Sequence, residues 1–209
     1  MKNYLTMMLC LFAFTANAGQ IATTDKGEIV ILNNDGTWSY QNAEAQKQVE
    51  IKTNKTTFNK PAGATFFLKS TRNKSAFWVD PKKWLFKKAS DKSPSEYEFE
   101  LKGMDLYGLA VTEGIEVSLE ALAQVAVENA RDSAPDAQVV AQEYRMVNGI
   151  KVLYQQMNGT TKGMKLSWIG YYFSDKSGLT QFLTYTSTNL VEKYKAEIES
   201  FLNGFTVQP

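Results

Sequence analysis

Between Val139 and Thr186, four runs of alternating apolar residues follow one another with almost nothing between them. "VVAQEYRMV" leads into Asn148-Gly149, "IKVLYQQM" into Asn158-Gly159, and "MKLSWIGYYF" into Asp175-Lys176-Ser177-Gly178; "LTQFLTYT" closes the set. Asn-Gly between apolar runs is a strong hairpin signal, because both central residues of the tight turn need positive φ. Connections this short cannot carry a strand back to a parallel neighbour. The spacing therefore predicts an antiparallel meander of Val139–Val147, Ile150–Met157, Met164–Phe173 and Leu179–Thr186, with turns at both Asn-Gly pairs.

The flanks complete a layered domain. "EYEFELKG" sets Tyr97, Phe99 and Leu101 against Glu96, Glu98 and Glu100, a strand with one dry and one wet face. "MDLYGLAVTEG" reads as another. Ser118 caps a helix whose Leu119, Leu122, Ala123, Ala126 and Ala130 share one face, and Pro135 marks its stop. A second helix places Leu190, Val191, Tyr194, Ile198, Phe201 and Leu202 together, with Asn189 and Glu192 as a capping box and Gly204 at its end. A mostly antiparallel sheet flanked by helices is an α+β sandwich, predicted over residues 75–209.

Upstream, Lys2, an apolar run from Tyr4 to Thr15 and Ala16-Asn17-Ala18 make an export signal over 1–18, with cleavage after Ala18. This places the protein in the periplasm or outside the cell. Residues 19–41 alternate around Asp25-Lys26-Gly27 and Asp35-Gly36 and predict a small β segment, with Trp38 and Tyr40 on one face. Its D-G-T-W-x-Y ending is similar to one near the start of many exported bacterial proteins. Residues 42–74, polar and without a sustained period, read as a linker.

Composition narrows the chemistry. The chain has no histidine and a single cysteine, Cys10, inside the leader. Ser-His-Asp and Cys-His catalysis are excluded, as are zinc sites built on His or Cys. Loss of the leader removes Lys2 and no acid, leaving 22 basic and 22 acidic residues. Zero net charge argues against a nucleic-acid partner. No cofactor motif is present, and neither a cofactor nor a metal is expected.

The element order from residue 75 resembles that of PsbP-like domains and DcrB-like exported bacterial proteins. The matching pieces are the aromatic run into Pro81-x-x-Trp84, the helix after Ser118, "EYRMVNGIKVLYQQMNG", "MKLSWIGYYFS", "LTYTSTN" and "FLNGF". The resemblance implies a PsbP-like α/β/α sandwich and a non-enzymatic binding or envelope-assembly role. It carries over no metal-binding residue.

Two groups of residues are candidates for contact. Trp168 and Tyr172 alternate onto one sheet face, with Tyr171 and Phe173 on the other; a face left open by its helix would be an aromatic groove for a peptide or glycan. "AFWVDPKKWLFKK" reads as a strand with Phe77 and Val79 inward, Trp84 plugging the core, and Lys82, Lys83, Lys87 and Lys88 as a rim. Four lysines also suit a peripheral membrane contact. Glu96, Glu98 and Glu100 read as a solvated row, with calcium as the alternative. Arg145, between Glu143 and Val147, suggests a cross-strand salt bridge. Two of Glu113, Glu116 and Glu143 are the candidate acid and base of a hydrolase acting on envelope glycans.

Overall fold

The computed structural model describes residues 20–23, 29–32, 38–40 and 51–208. The leader, its cleavage site, the turns at Asp25-Lys26-Gly27 and Asp35-Gly36, and the side chains of Trp38 and Tyr40 lie outside the described residues. The chain divides into two compact units, Met1–Gln46 and Lys47–Pro209. In the first, β1 (Gln20–Thr23), β2 (Ile29–Leu32) and β3 (Trp38–Tyr40) form an antiparallel sheet in that order.

The second unit begins with β4 (Thr53–Phe58), β5 (Phe66–Lys69), β6 (Ser75–Val79), β7 (Trp84–Lys88), β8 (Tyr97–Leu101) and β9 (Tyr107–Glu113). Helix α1 (Leu119–Ser133) follows, then the meander β10 (Gln138–Val147), β11 (Ile150–Thr161), β12 (Met164–Asp175) and β13 (Gly178–Ser187). A 3-10 turn at Thr188–Leu190 leads into α2 (Val191–Leu202), and β14 (Phe205–Val207) ends the unit. One eight-stranded sheet runs β4-β10-β11-β12-β13-β9-β8-β7, and a smaller one runs β14-β6-β5. The architecture is mostly β with two helices; every pairing is antiparallel except β4 on β10.

The sheet has a core on each face. On one, Tyr171, Phe173, Phe182, Phe99 and Phe77 meet Tyr194, Ile198, Phe201 and Leu202 of α2. Trp84 closes its end, its ring 4.1 Å from that of Phe201. On the other, Leu122, Ala123, Ala126 and Val127 of α1 cover Leu153, Met157 and Tyr172. Ser118 caps α1 by accepting from the Ala121 amide at 3.1 Å.

Several details depart from the sequence reading. The segment read as a linker carries β4 and β5. Strand β4 has the polar sequence TNKTTF and lies largely exposed at the sheet edge, so it shows no apolar alternation. Asn148-Gly149 is the tight turn expected, with φ of 51° and 80°. Asn158-Gly159 is not a turn: β11 runs through it, and the chain reverses at Lys162-Gly163, where φ is 49° and 80°. Gly159 is small for another reason. A Cβ there would come within 3.0 Å of the Ala134 Cβ and 3.1 Å of the Ala137 Cα, beneath the end of α1. The capping box of α2 does not form, because the 3-10 turn occupies its entry and no side chain caps it.

Candidate functional site

A recess that combines aromatic and polar groups lies where α1 crosses the sheet. Helix α1 sits over β11 and β12, and toward the cleft it presents Ala126 and Ala130, with Asn129 and Ser133 beside them. A cleft of about 240 Å³ remains between helix and sheet. Its floor is Met157, Trp168, Tyr172 and Leu183, and its rim is Asn129, Ser133, Gln181 and Glu113. Gly170 lies between Trp168 and Tyr172 on the same strand face, and Leu183 leans into the gap it leaves. An added Cβ at Gly170 would stand 2.6 Å from the Leu183 Cβ.

The structure separates the aromatics singled out from the sequence. Trp168 is half-buried and lines the cleft. Tyr172 also lines it but is only 1% exposed, so it supplies wall rather than contact surface. Burial drives its hydroxyl well above the usual phenol range, and a hydrogen bond with Gln155 pulls the other way. Tyr171 belongs to the opposite core. Its hydroxyl donates to Asn203 Oδ1 at 2.8 Å and accepts from the Arg145 guanidinium at 3.4 Å. Burial pushes its pKa up to about 12 despite that cation.

Sequence reasoning missed how the aromatic face continues. Trp168 pairs across strands with Tyr185, Tyr185 with Tyr107, and Tyr107 with Glu100. The Tyr107 and Tyr185 rings stack at 5.4 Å, so each covers the other's face. The signal was the shared register of three strands, which no single strand displays.

The lysine rim stands elsewhere. Strand β7 is four strand steps from β12, about 19 Å across the sheet at the usual ~4.8 Å spacing. Lys82, Lys83, Lys87 and Lys88 are all exposed, as expected. Lys83 pairs with Glu197 at 2.6 Å and Lys87 with Glu98 at 3.0 Å, so two of the four charges are answered locally.

The carboxylates are rearranged too. Glu96 does not share the solvated row with Glu98 and Glu100. It is 1% exposed and accepts from Ser70 Oγ at 2.7 Å, Thr71 N at 2.7 Å, Thr71 Oγ1 at 2.8 Å and Thr112 Oγ1 at 2.5 Å. Burial raises its pKa, but these bonds to the ionised form outweigh it and leave the carboxyl below its ordinary value. The row proposed for calcium therefore loses a member. Glu113 and Glu143 lie on β9 and β10, four strand steps or about 19 Å apart at ~4.8 Å per step. Paired glycosidase carboxylates stand roughly 5–10 Å apart, so these two cannot act on one bond. Glu113 and Glu116 are both exposed near the start of α1. Arg145 is paired, but along its own strand: its Nε donates to Glu143 Oε1 at 2.6 Å.

No protein-family model and no curated protein matches the chain. Among solved structures it is similar to the cyanobacterial PsbP, CyanoP, of Synechocystis sp. PCC 6803. That match has 13% identity and a TM-score of 0.51, and covers 71% of this chain and 95% of that one. The PsbP-like fold expected from the element order is thereby shown. Weaker likenesses reach LpqN of Mycobacterium tuberculosis, involved in cell envelope biogenesis, at 10% identity and TM-score 0.43, covering 62% of this chain and 80% of that one. PA94 of Pseudomonas aeruginosa, a protein of unknown function, matches at 9% identity and TM-score 0.43, covering 60% and 83%. These two add nothing to the fold assignment.

Proposed function

We propose that the protein is an exported, non-enzymatic binding or envelope-assembly factor, built on a PsbP-like α/β/α sandwich and using the cleft under α1 as its contact site. The cleft itself carries this reading. It has an apolar, partly aromatic floor, a rim of amides, a hydroxyl and one carboxylate, and a wall of buried side chains that holds its shape. The alanines of α1 keep it open, since any larger residue at Ala126 or Ala130 would fill it. The proposed partner is a peptide segment or glycan of the cell envelope. The leader read over residues 1–18 supplies the export route.

The test is to close the cleft without unfolding the domain. The wild-type protein and the Ala130→Leu and Trp168→Ala variants are used to capture partners from an envelope extract, with thermal unfolding as the folding control. The proposal expects a partner that the wild type captures and both folded variants lose. A partner captured equally by all three would place recognition away from the cleft, and the lysine rim would then be the next surface to alter.

A further inference from the structure

The lining of the cleft is specific about charge, and from it we infer that the occupant is a lysine or arginine side chain of an extended polypeptide. The inference rests on the cleft being the binding site. Glu113 is the one charged side chain among the residues lining it. Its carboxylate has no hydrogen-bond or ion-pair partner among the described residues and is exposed to solvent. An unanswered carboxylate beside an apolar floor favours a cation that brings its own apolar stem. Lysine and arginine have that form: methylenes that cover apolar surface and a charged head that reaches the rim. Trp168 adds a ring face suited to a cation.

Size and shape point the same way. About 240 Å³ in a cleft open to solvent is room enough for one long side chain. The amides of Asn129 and Gln181 each donate and accept, which matches the peptide groups on either side of an anchor residue. A glycan would want several open aromatic faces. Tyr172 is 1% exposed, and Tyr107 and Tyr185 each give one ring face to the other and do not line the cleft, so Trp168 is the one half-buried ring in its lining.

The experiment titrates the whole protein, labelled with 15N, with three probes: the peptide acetyl-Ala-Ala-Arg-Ala-Ala-amide, its citrulline counterpart, and cellotetraose. Citrulline keeps the shape of arginine and removes the charge. The arginine peptide is expected to shift the Trp168 indole N–H and the Gln181 side-chain amide. Its affinity should exceed that of the citrulline peptide by about threefold, the scale of one solvent-exposed ion pair. Glu113→Gln, an exposed change, should remove that difference. Equal affinities of the two peptides for the wild type, or an arginine preference that survives Glu113→Gln, overturn the inference. A Trp168 shift with cellotetraose and with neither peptide overturns it too, but leaves the cleft as a binding site. If no probe moves these signals, the inference falls, and with it the cleft's support as the contact site.

Discussion

The side-chain amide of Asn148 donates to the backbone carbonyl of Phe205 at 2.7 Å, and so ties the first turn of the meander to the last strand of the chain. The same amide donates to the Asn203 carbonyl at 2.9 Å, and its Oδ1 accepts from the Lys60 amide at 2.7 Å. One turn residue thus joins the ends of β4, α2 and β14. Its φ of 51° is one that asparagine tolerates and alanine does not. Asn148→Ala should therefore cost about 2–4 kcal/mol, from three hydrogen bonds and a left-handed backbone. Asn148→Gly keeps the backbone and loses only the bonds, so it should cost less. Urea denaturation of the three proteins checks the order. A glycine variant as unstable as the alanine one would show that the bonds alone matter.

Gly159 and Gly163 offer a second contrast. Gly163 has φ of 80° with open space around it, whereas Gly159 lies under Ala134 and Ala137. Gly159→Ala meets a backbone atom that cannot rotate away and should cost about 1–2 kcal/mol by overpacking. Gly163→Ala should cost about 1 kcal/mol for its left-handed φ. Asparagine separates the two causes. It tolerates the backbone at 163 and should do better there than alanine, but at 159 its greater bulk should do worse. Thermal denaturation of the four variants measures both orders.

These two glycines also show where the sequence was readable and where it was not. The meander and both helices announce themselves through period, turn residues and the Ser118 cap, all local signals. An Asn-Gly pair marks a turn only when the chain is free to reverse there. At Asn158-Gly159 the same letters serve a close approach of α1, a fact that resides 25 residues upstream. Strand β4 is held by backbone pairing to β10 and by its few inward side chains, so TNKTTF carries no strand pattern. Glu96 continues the alternation of β8 on paper, yet Ser70 and Thr71 arrive from the bend after β5 to cover it. The candidate cleft depends on volume that Ala126 and Ala130 leave empty, and a core alanine reads the same whether or not space lies beside it.

Glu96 makes stability depend on pH. Its folded pKa lies below its ordinary value, so its contribution is fully present above the unfolded carboxylate range and is lost as pH falls through the folded pKa. Wild-type stability should therefore decline below about pH 4.3, the unfolded glutamate value. Glu96→Gln should be less stable at neutral pH by about 1–3 kcal/mol, because the buried Thr71 and Thr112 donors lose a carboxylate acceptor. It should also lose part of the acid-side decline. Denaturant midpoints between pH 3 and pH 7 measure both effects, and parallel pH profiles for the two proteins would exclude Glu96 as a source of the decline.

Arg145 is held by faces as well as by charge. Its guanidinium carbon lies 3.7 Å from the centroid of the Tyr154 ring and 4.5 Å from that of Phe58, and its Nε bonds to Glu143. Burial alone would lower its pKa, but Tyr171 and Glu143 together hold it above the ordinary value. Arg145→Lys keeps the charge but loses the flat surface and the fixed donors, so it should fail to restore full stability. Arg145→Met leaves Glu143 half-buried with only Asn54 Nδ2, at 3.0 Å, to answer it. That variant should cost about 3 kcal/mol, the scale for breaking a buried pair. Glu143→Gln should cost less, because Arg145 keeps its rings and the Tyr171 hydroxyl. The double variant should then be more stable than the sum of the single changes implies, by about 1–3 kcal/mol. Additivity within about 0.5 kcal/mol would mean that the ion pair contributes nothing and that the aromatic rings alone hold Arg145 in place.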